Sequence, residues 1–82
     1  MKMKSINIQY YALLREQAGL KEENLKVQCR TYGELYNHLQ EKYLFTLPAE
    51  MIQVAVNDEF ALLHQEISDG ARVVFIPPVA GG

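Results

Sequence analysis

Apolar and polar residues alternate with a period of two over three stretches of this chain. Ile6, Ile8 and Tyr10 stand between Ser5, Asn7, Gln9 and Tyr11, the signature of a strand with one buried face. Leu25, Val27 and Cys29 stand in the same way between Asn24, Lys26, Gln28 and Arg30, and Ile52, Val54 and Val56 between Gln53, Ala55 and Asn57. A β-branched and aromatic run, Val73-Val74-Phe75-Ile76, predicts a last, buried strand over 72–76. Phe60 to Leu63 is long enough for a short extra strand before it.

One segment switches to helical periodicity. From Tyr32 to about Tyr43, the residues Leu35, Leu39 and Tyr43 fall at i, i+4 and i+8, with Tyr32 and Tyr36 beside them and Asn37, Gln40 and Glu41 opposite. That predicts an amphipathic helix of about three turns. Thr31 followed three residues later by Glu34 supplies a capping box for its start. Leu13 to Ala18 lacks β-branched residues and runs into Gly19, which suits a short helical turn closed by a left-handed glycine. Asn57-Asp58-Glu59 and Ser68-Asp69-Gly70 carry turn chemistry. Phe45 to Glu50, with Pro48, reads as a loop. Pro77 and Pro78 cannot donate to a ladder and so end the last strand.

The elements imply an α+β domain, with one main helix covering one face of a mixed four- to five-stranded sheet. The inward set is Ile6, Ile8, Tyr10, Val73 and Phe75, packed against Leu35 and Leu39. The same alternation puts Tyr11 and Ile76 on the uncovered face, where apolar side chains usually mark a partner. The folded domain spans 1–76, and 77–82 form an extended tail.

Composition narrows the functional classes. The chain has 82 residues, 49% apolar and 22% charged, with a net charge of −2. That is the balance of one globular domain without the basic footprint of a nucleic-acid binder. The acidic excess is spread along the chain, so a basic partner is mildly favoured over a polyanion. One cysteine, Cys29, allows no internal disulfide and suits a reducing compartment. Polar residues interrupt the basic start Met1-Lys2-Met3-Lys4-Ser5, and no apolar run nears the roughly 18 residues of a membrane span. A cytoplasmic, membrane-free protein is expected.

Side-chain chemistry is sparse. His38 and His64 stand at no ligand spacing from Cys29 or from a carboxylate pair, so no metal site is expected. His38 follows Glu34 by four residues on the predicted helix, a solvated neighbour pair. Cys29 falls on the apolar face of the second strand as a small buried hydrophobe, with no activating base in view. The glycines form no phosphate loop. Arg15 either pairs with Glu16 at the surface, worth little, or anchors a partner.

The end of the chain is different. Pro77-Pro78 directs the exit of the tail away from the sheet. Gly81-Gly82 offers backbone without Cβ, able to thread a narrow channel and approach catalytic groups closely. The terminal carboxylate, with a reference pKa of about 3.3–3.7, is ionised at neutral pH and inert as an acyl donor. It becomes reactive only when another enzyme activates it, for instance as an acyl-adenylate. The chain is then a substrate and carrier rather than a catalyst.

Several stretches together resemble the small subunit of molybdopterin synthase. They are Pro77-Pro78-Val79-Ala80-Gly81-Gly82, Tyr11-Ala12-Leu13-Leu14-Arg15-Glu16, Ala55-Val56-Asn57 and Asp69-Gly70. The resemblance covers essentially the whole chain. It implies the ubiquitin-like β-grasp fold, with first and last strands parallel and central. It further implies that an E1-like adenylyltransferase uses ATP to adenylate Gly82, after which a sulfur donor protein converts the terminus to a thiocarboxylate. No cofactor is held permanently. The large synthase subunit takes up Pro77, Pro78, Val79, Ala80 and Gly81 in a channel. Two sulfurs in turn then enter cyclic pyranopterin monophosphate, in a heterotetramer of two small and two large subunits.

The resemblance also carries partner contacts onto Tyr11, Phe60 and Ile76. Tyr11 and Ile76 agree with the face argument; Phe60 rests on the resemblance alone. The chain departs from the family's usual pattern at Ala71-Arg72, where acidic residues commonly follow Asp69-Gly70. Two alternatives of the same architecture remain open, a sulfur carrier for a thiamine-type pathway and a ubiquitin-like modifier joined to lysines. A non-catalytic binding module with an incidental tail is a third.

Overall fold

The computed structural model describes residues 3–78. Its elements are β1 (Lys4–Tyr10), α1 (Ala12–Ala18), β2 (Glu22–Val27), α2 (Tyr32–Tyr43), a single 3-10 turn (Ala49–Met51), β3 (Gln53–Val56), β4 (Glu59–Ala61) and β5 (Arg72–Ile76). The five strands form one sheet in the order β2-β1-β5-β3-β4. β1 and β5 are parallel and central, with Ile8 opposite Val73 and Tyr10 opposite Phe75. Every other pair is antiparallel. This is the β-grasp arrangement, with one main helix across one face.

The alternation in β1 and β5 decides which face is buried. Ile8, Tyr10, Val73 and Phe75 are each 0% exposed and meet Leu35, Tyr36 and Leu39 of α2. Full burial of side chains of this size contributes about 1.5–3 kcal/mol each. Leu14 is the one fully buried residue of α1, and Ala18 packs against the same core. Aromatic rings fill the end of the core nearest the tail. Tyr36 lies 5.4 Å from Phe75 and 5.8 Å from Phe45, and Tyr10 lies 5.9 Å from Phe45, all between ring centroids.

The start of α2 is built as its sequence suggests, with one displacement. Thr31 Oγ1 accepts from the Glu34 amide at 3.2 Å. The Glu34 carboxylate accepts from the amide of Arg30 at 3.0 Å, one residue beyond the usual capping-box partner, so Thr31 satisfies one orphan amide of the helix and Glu34 ties down the residue before the cap. Gln40, assigned to the outer face, is half-buried because its amide donates to the carbonyls of Phe45 and Leu47.

Two strand boundaries differ from expectation. β2 ends at Val27, opposite Lys4 at the start of β1, so the chain beyond it has no ladder partner. Cys29 therefore lies in the loop to α2, half-buried, rather than on a strand. β4 begins one residue early because Asn57 (φ 51°) and Asp58 (φ 72°) are both left-handed. That is a tight two-residue hairpin turn, and it pairs Val56 with Glu59 at once.

Glu23 shares the helix side of the sheet with Ile8 and ties three elements together. Its Oε2 accepts from Tyr10 Oη and from Tyr43 Oη, each at 2.6 Å. Lys42 Nζ lies 3.8 Å from the other oxygen. Burial, then the Glu23 carboxylate, push the Tyr43 hydroxyl up to about 12 and move Tyr10 upward by more. Both phenols hold their protons more tightly folded than unfolded, so their contribution is complete below about pH 10 and is lost above it. Urea unfolding at a series of pH values should show stability falling from about pH 10 towards and through the Tyr43 value of about 12. A flat profile across that window would contradict the arrangement.

α2 closes at Leu44, which is left-handed (φ 59°) and 78% exposed. A leucine there is strained by roughly 1–2 kcal/mol and packs on little. Leu44→Gly should therefore stabilise the domain by about 1 kcal/mol, raising Tm by about 4–8 °C. An unchanged or lowered Tm in calorimetry would argue against the strain.

Candidate docking face and tail exit

With α2 on one side, the other side of the sheet is open to solvent, and the register specifies its occupants. Gln9, Val74, Ala55 and Phe60 stand in one row across β1, β5, β3 and β4. Ile76 and Gln53 stand in the next, with Tyr11 one residue beyond the last β1–β5 pair on the same side. Phe60 is 76% exposed and Tyr11 45%, while Val74, Ala55 and Ile76 are half-buried. Tyr11, Phe60 and Ile76 thus share one face. Strand pairing adds Val74 and Ala55 between them, which their alternation in sequence already hinted at. Leu62, 57% exposed just past β4, carried no periodic signal.

A backbone turn separates Tyr11 from the helix that follows. Tyr11 is extended (φ −130°, ψ 153°) and continues the line of β1. Ala12 is left-handed (φ 51°), an uncommon state for alanine that redirects the chain into α1 within one residue. That turn brings Arg15 back over the strand end. Its Nε donates to the Tyr10 carbonyl at 3.2 Å, and its guanidinium lies 5.4 Å from the Tyr11 ring centroid. The alternative of a pair with Glu16 is not formed. Arg15 is in no ion pair among the described residues, and its cation is held beside the Tyr11 ring.

Because β1 and β5 are parallel, β5 ends at the edge where Tyr11 stands. Pro77 is buried, in phase with Val73 and Phe75, and Pro78 is exposed. The tail residues Val79, Ala80, Gly81 and Gly82 lie outside the described residues. The exit of the tail and the apolar face are neighbours by construction.

The remaining candidates are scattered. Burial pushes the Cys29 thiol up, opposite to what a nucleophile needs. His38 and His64 are exposed on separate elements. Among the described residues no group of three or more His, Cys, Asp or Glu could hold a metal ion, and no helix is long and apolar enough to cross a membrane. Ala71 is buried at 1% exposure. Arg72 pairs with Asp58 of the β3–β4 turn, and its amide donates to Asn57 Oδ1 at 2.9 Å.

Comparison with known proteins completes the description of the site. Residues 8–82 match the ThiS family. The chain is 37% identical over 83 residues to the molybdopterin synthase sulfur carrier subunit of Mycobacterium tuberculosis, covering 98% of this chain and 100% of that one. Its fold is similar to SAMP1 from Haloferax volcanii, with a TM-score of 0.76, 26% identity and coverage of 95% of this chain and 99% of that one. It is also similar to the small archaeal modifier protein 1 from Methanosarcina acetivorans, with a TM-score of 0.78, 21% identity and full coverage of both chains.

If Phe60 serves a partner and not the domain, shortening it should be nearly silent. Phe60→Thr, which keeps strand preference, is expected to change stability by no more than about 0.5 kcal/mol. Phe75→Ala, in the core, should cost about 3–5 kcal/mol. Denaturant titration of the two variants separates the roles, and comparable losses would place Phe60 in the packing of the domain.

Proposed function

Because this chain belongs to the ThiS family, we propose that it is the sulfur-carrier subunit of a molybdopterin synthase, whose reactive group is the carboxylate of Gly82. The observation that carries the reading is the 37% identity to such a subunit across the full length of that relative. The geometry supports it, since the apolar docking face and the exit of the Gly-Gly tail adjoin at one end of the sheet.

The chemistry follows from what a carboxylate lacks. Ionised, it resists nucleophilic attack, so an activating enzyme must first join it to the α-phosphate of ATP, with pyrophosphate leaving. Sulfur from a donor protein then displaces AMP and leaves a thiocarboxylate on Gly82. Glycine suits both steps because no side chain obstructs the approach. The chain's own residues bind and aim. Tyr11, Phe60 and Ile76 dock the large subunit, Arg15 orients the contact, and Pro77-Pro78 starts the arm on an extended course. General acid and base groups belong to the partner, in whose active site the sulfur passes to cyclic pyranopterin monophosphate.

A second reading is a protein modifier, favoured by the likeness to the small archaeal modifier protein. Both readings begin with an adenylated Gly82 and part at the acceptor, sulfur in one case and a lysine amine in the other. A thiamine-type carrier shares the thiocarboxylate and differs in the enzyme it serves.

Intact-mass analysis of the protein from its own cells distinguishes a sulfur carrier from a modifier. The carrier reading expects a species in which sulfur replaces one carboxyl oxygen. It also expects that species to vanish when Gly82 is deleted or one residue is added after it, with the fold unchanged by circular dichroism. Isopeptide-linked conjugates without any sulfur-bearing species, even with activating enzyme and sulfur donor supplied, would favour the modifier and exclude the carrier.

A further inference from the structure

The chain is acidic overall, with a net charge of −2, but its open sheet face is not. Strand register places Lys26 beside Ser5, Arg72 beside Asn7 and Glu22 beside Gln9 on that face. At the corner nearest the tail exit, Arg15 and Lys21 line one surface cleft with Gln9, Tyr11 and Glu22. Asp58 joins the face from the β3–β4 turn through its pair with Arg72. Four cations, Arg15, Lys21, Lys26 and Arg72, thus stand on or beside this face against three anions, Glu22, Asp58 and Asp69, the last at the Ser5 end. The other acids of these strands turn away, Glu23 beside Ile8 and Glu59 beside Val56, both towards the helix side.

The three anions are already engaged, Asp69 Oδ1 accepting from the Ser5 amide at 2.7 Å. Glu22 Oε2 accepts from Asn7 Nδ2 at 3.0 Å, and Asp58 is held by Arg72. Arg15, Lys21 and Lys26 are in no ion pair among the described residues. Arg15 is moreover fixed in orientation by the Tyr10 carbonyl and the Tyr11 ring, so it loses little freedom when an anion arrives. A guanidinium held this way next to apolar surface favours a carboxylate over water, because the bond is charge-assisted and becomes partly desolvated on docking.

We propose that the open sheet face recognises an acidic partner surface, an apolar patch bordered by carboxylates, with one carboxylate seated on Arg15. The inference rests on the carrier reading above and specifies the chemistry of the surface that the large subunit presents to this chain. It reverses the mild preference for a basic partner that net charge suggests, because strand register sorts the charges by face. Arg72, at the position where the resemblance led to an acidic residue, contributes to the same sign.

The test is the rate of association between the full-length chain and the large synthase subunit of the same organism, measured by stopped-flow at low and high salt. The unaltered chain should associate more slowly as salt rises. Lys21→Glu with Lys26→Glu, both exposed and outside the core, should slow association at low salt by about tenfold and flatten the salt dependence. Arg15→Glu should weaken the equilibrium affinity as well, with circular dichroism confirming the fold of each variant. Rates indifferent to salt, or faster in the lysine double variant, would overturn the inference while leaving the carrier reading in place. No binding by the unaltered chain under any condition would instead overturn the carrier reading.

Discussion

The structure depends on the parallel pairing of β1 with β5, two strands from opposite ends of the chain. Ile8 against Val73 and Tyr10 against Phe75 put four fully buried side chains at the centre of the sheet. Every other element is added to that pair. β2 and β3 flank it, and α2 lies beneath it. Because nearly the whole chain separates the two strands, the pairing forms only when the intervening elements are in place. Parallel alignment also means that both strands finish at the same edge, which sets Tyr11 and the exit of the tail side by side.

From that pair follows a sheet with two unlike faces. One is sealed by α2 and the aromatic cluster of Tyr10, Tyr36, Phe45 and Phe75, with Glu23 satisfying the phenols of Tyr10 and Tyr43. The other carries no second layer among the described residues, and Phe60 and Tyr11 stand exposed on it. A small domain can leave such a face open only if the rest of its core is well packed. The division lets the domain hold its shape while leaving an apolar face open.

Much of this was legible in the residues. The period-two runs located β1, β2 and β3, the β-branched run from Val73 to Ile76 located β5, the i, i+4, i+8 spacing located α2, and Thr31 with Glu34 marked its start. The ends of elements were less legible. Cys29 continued an alternating run in sequence, but β2 stops at Val27 because its neighbour β1 begins at Lys4. The hairpin turn closed one residue earlier than the pattern suggested, since Asn57 and Asp58 both accept left-handed backbone. Of the residues on the open face, Tyr11 and Ile76 were readable from alternation. Phe60 was not, because a three-residue edge strand has too little pattern to show which way it faces.

The sequence by itself determined local structure, because periodicity and capping act over a few residues. It also determined which side chains of the longer strands share a side. Only the tertiary structure decided which strands are neighbours, and hence that Phe60, Val74, Ile76 and Tyr11 form one patch beside the tail exit. The same holds for charge. A net value sums over the whole surface, whereas strand register directs Glu23 and Glu59 to one side and leaves Lys26 and Arg72 on the other. The sign a partner meets is set by that sorting.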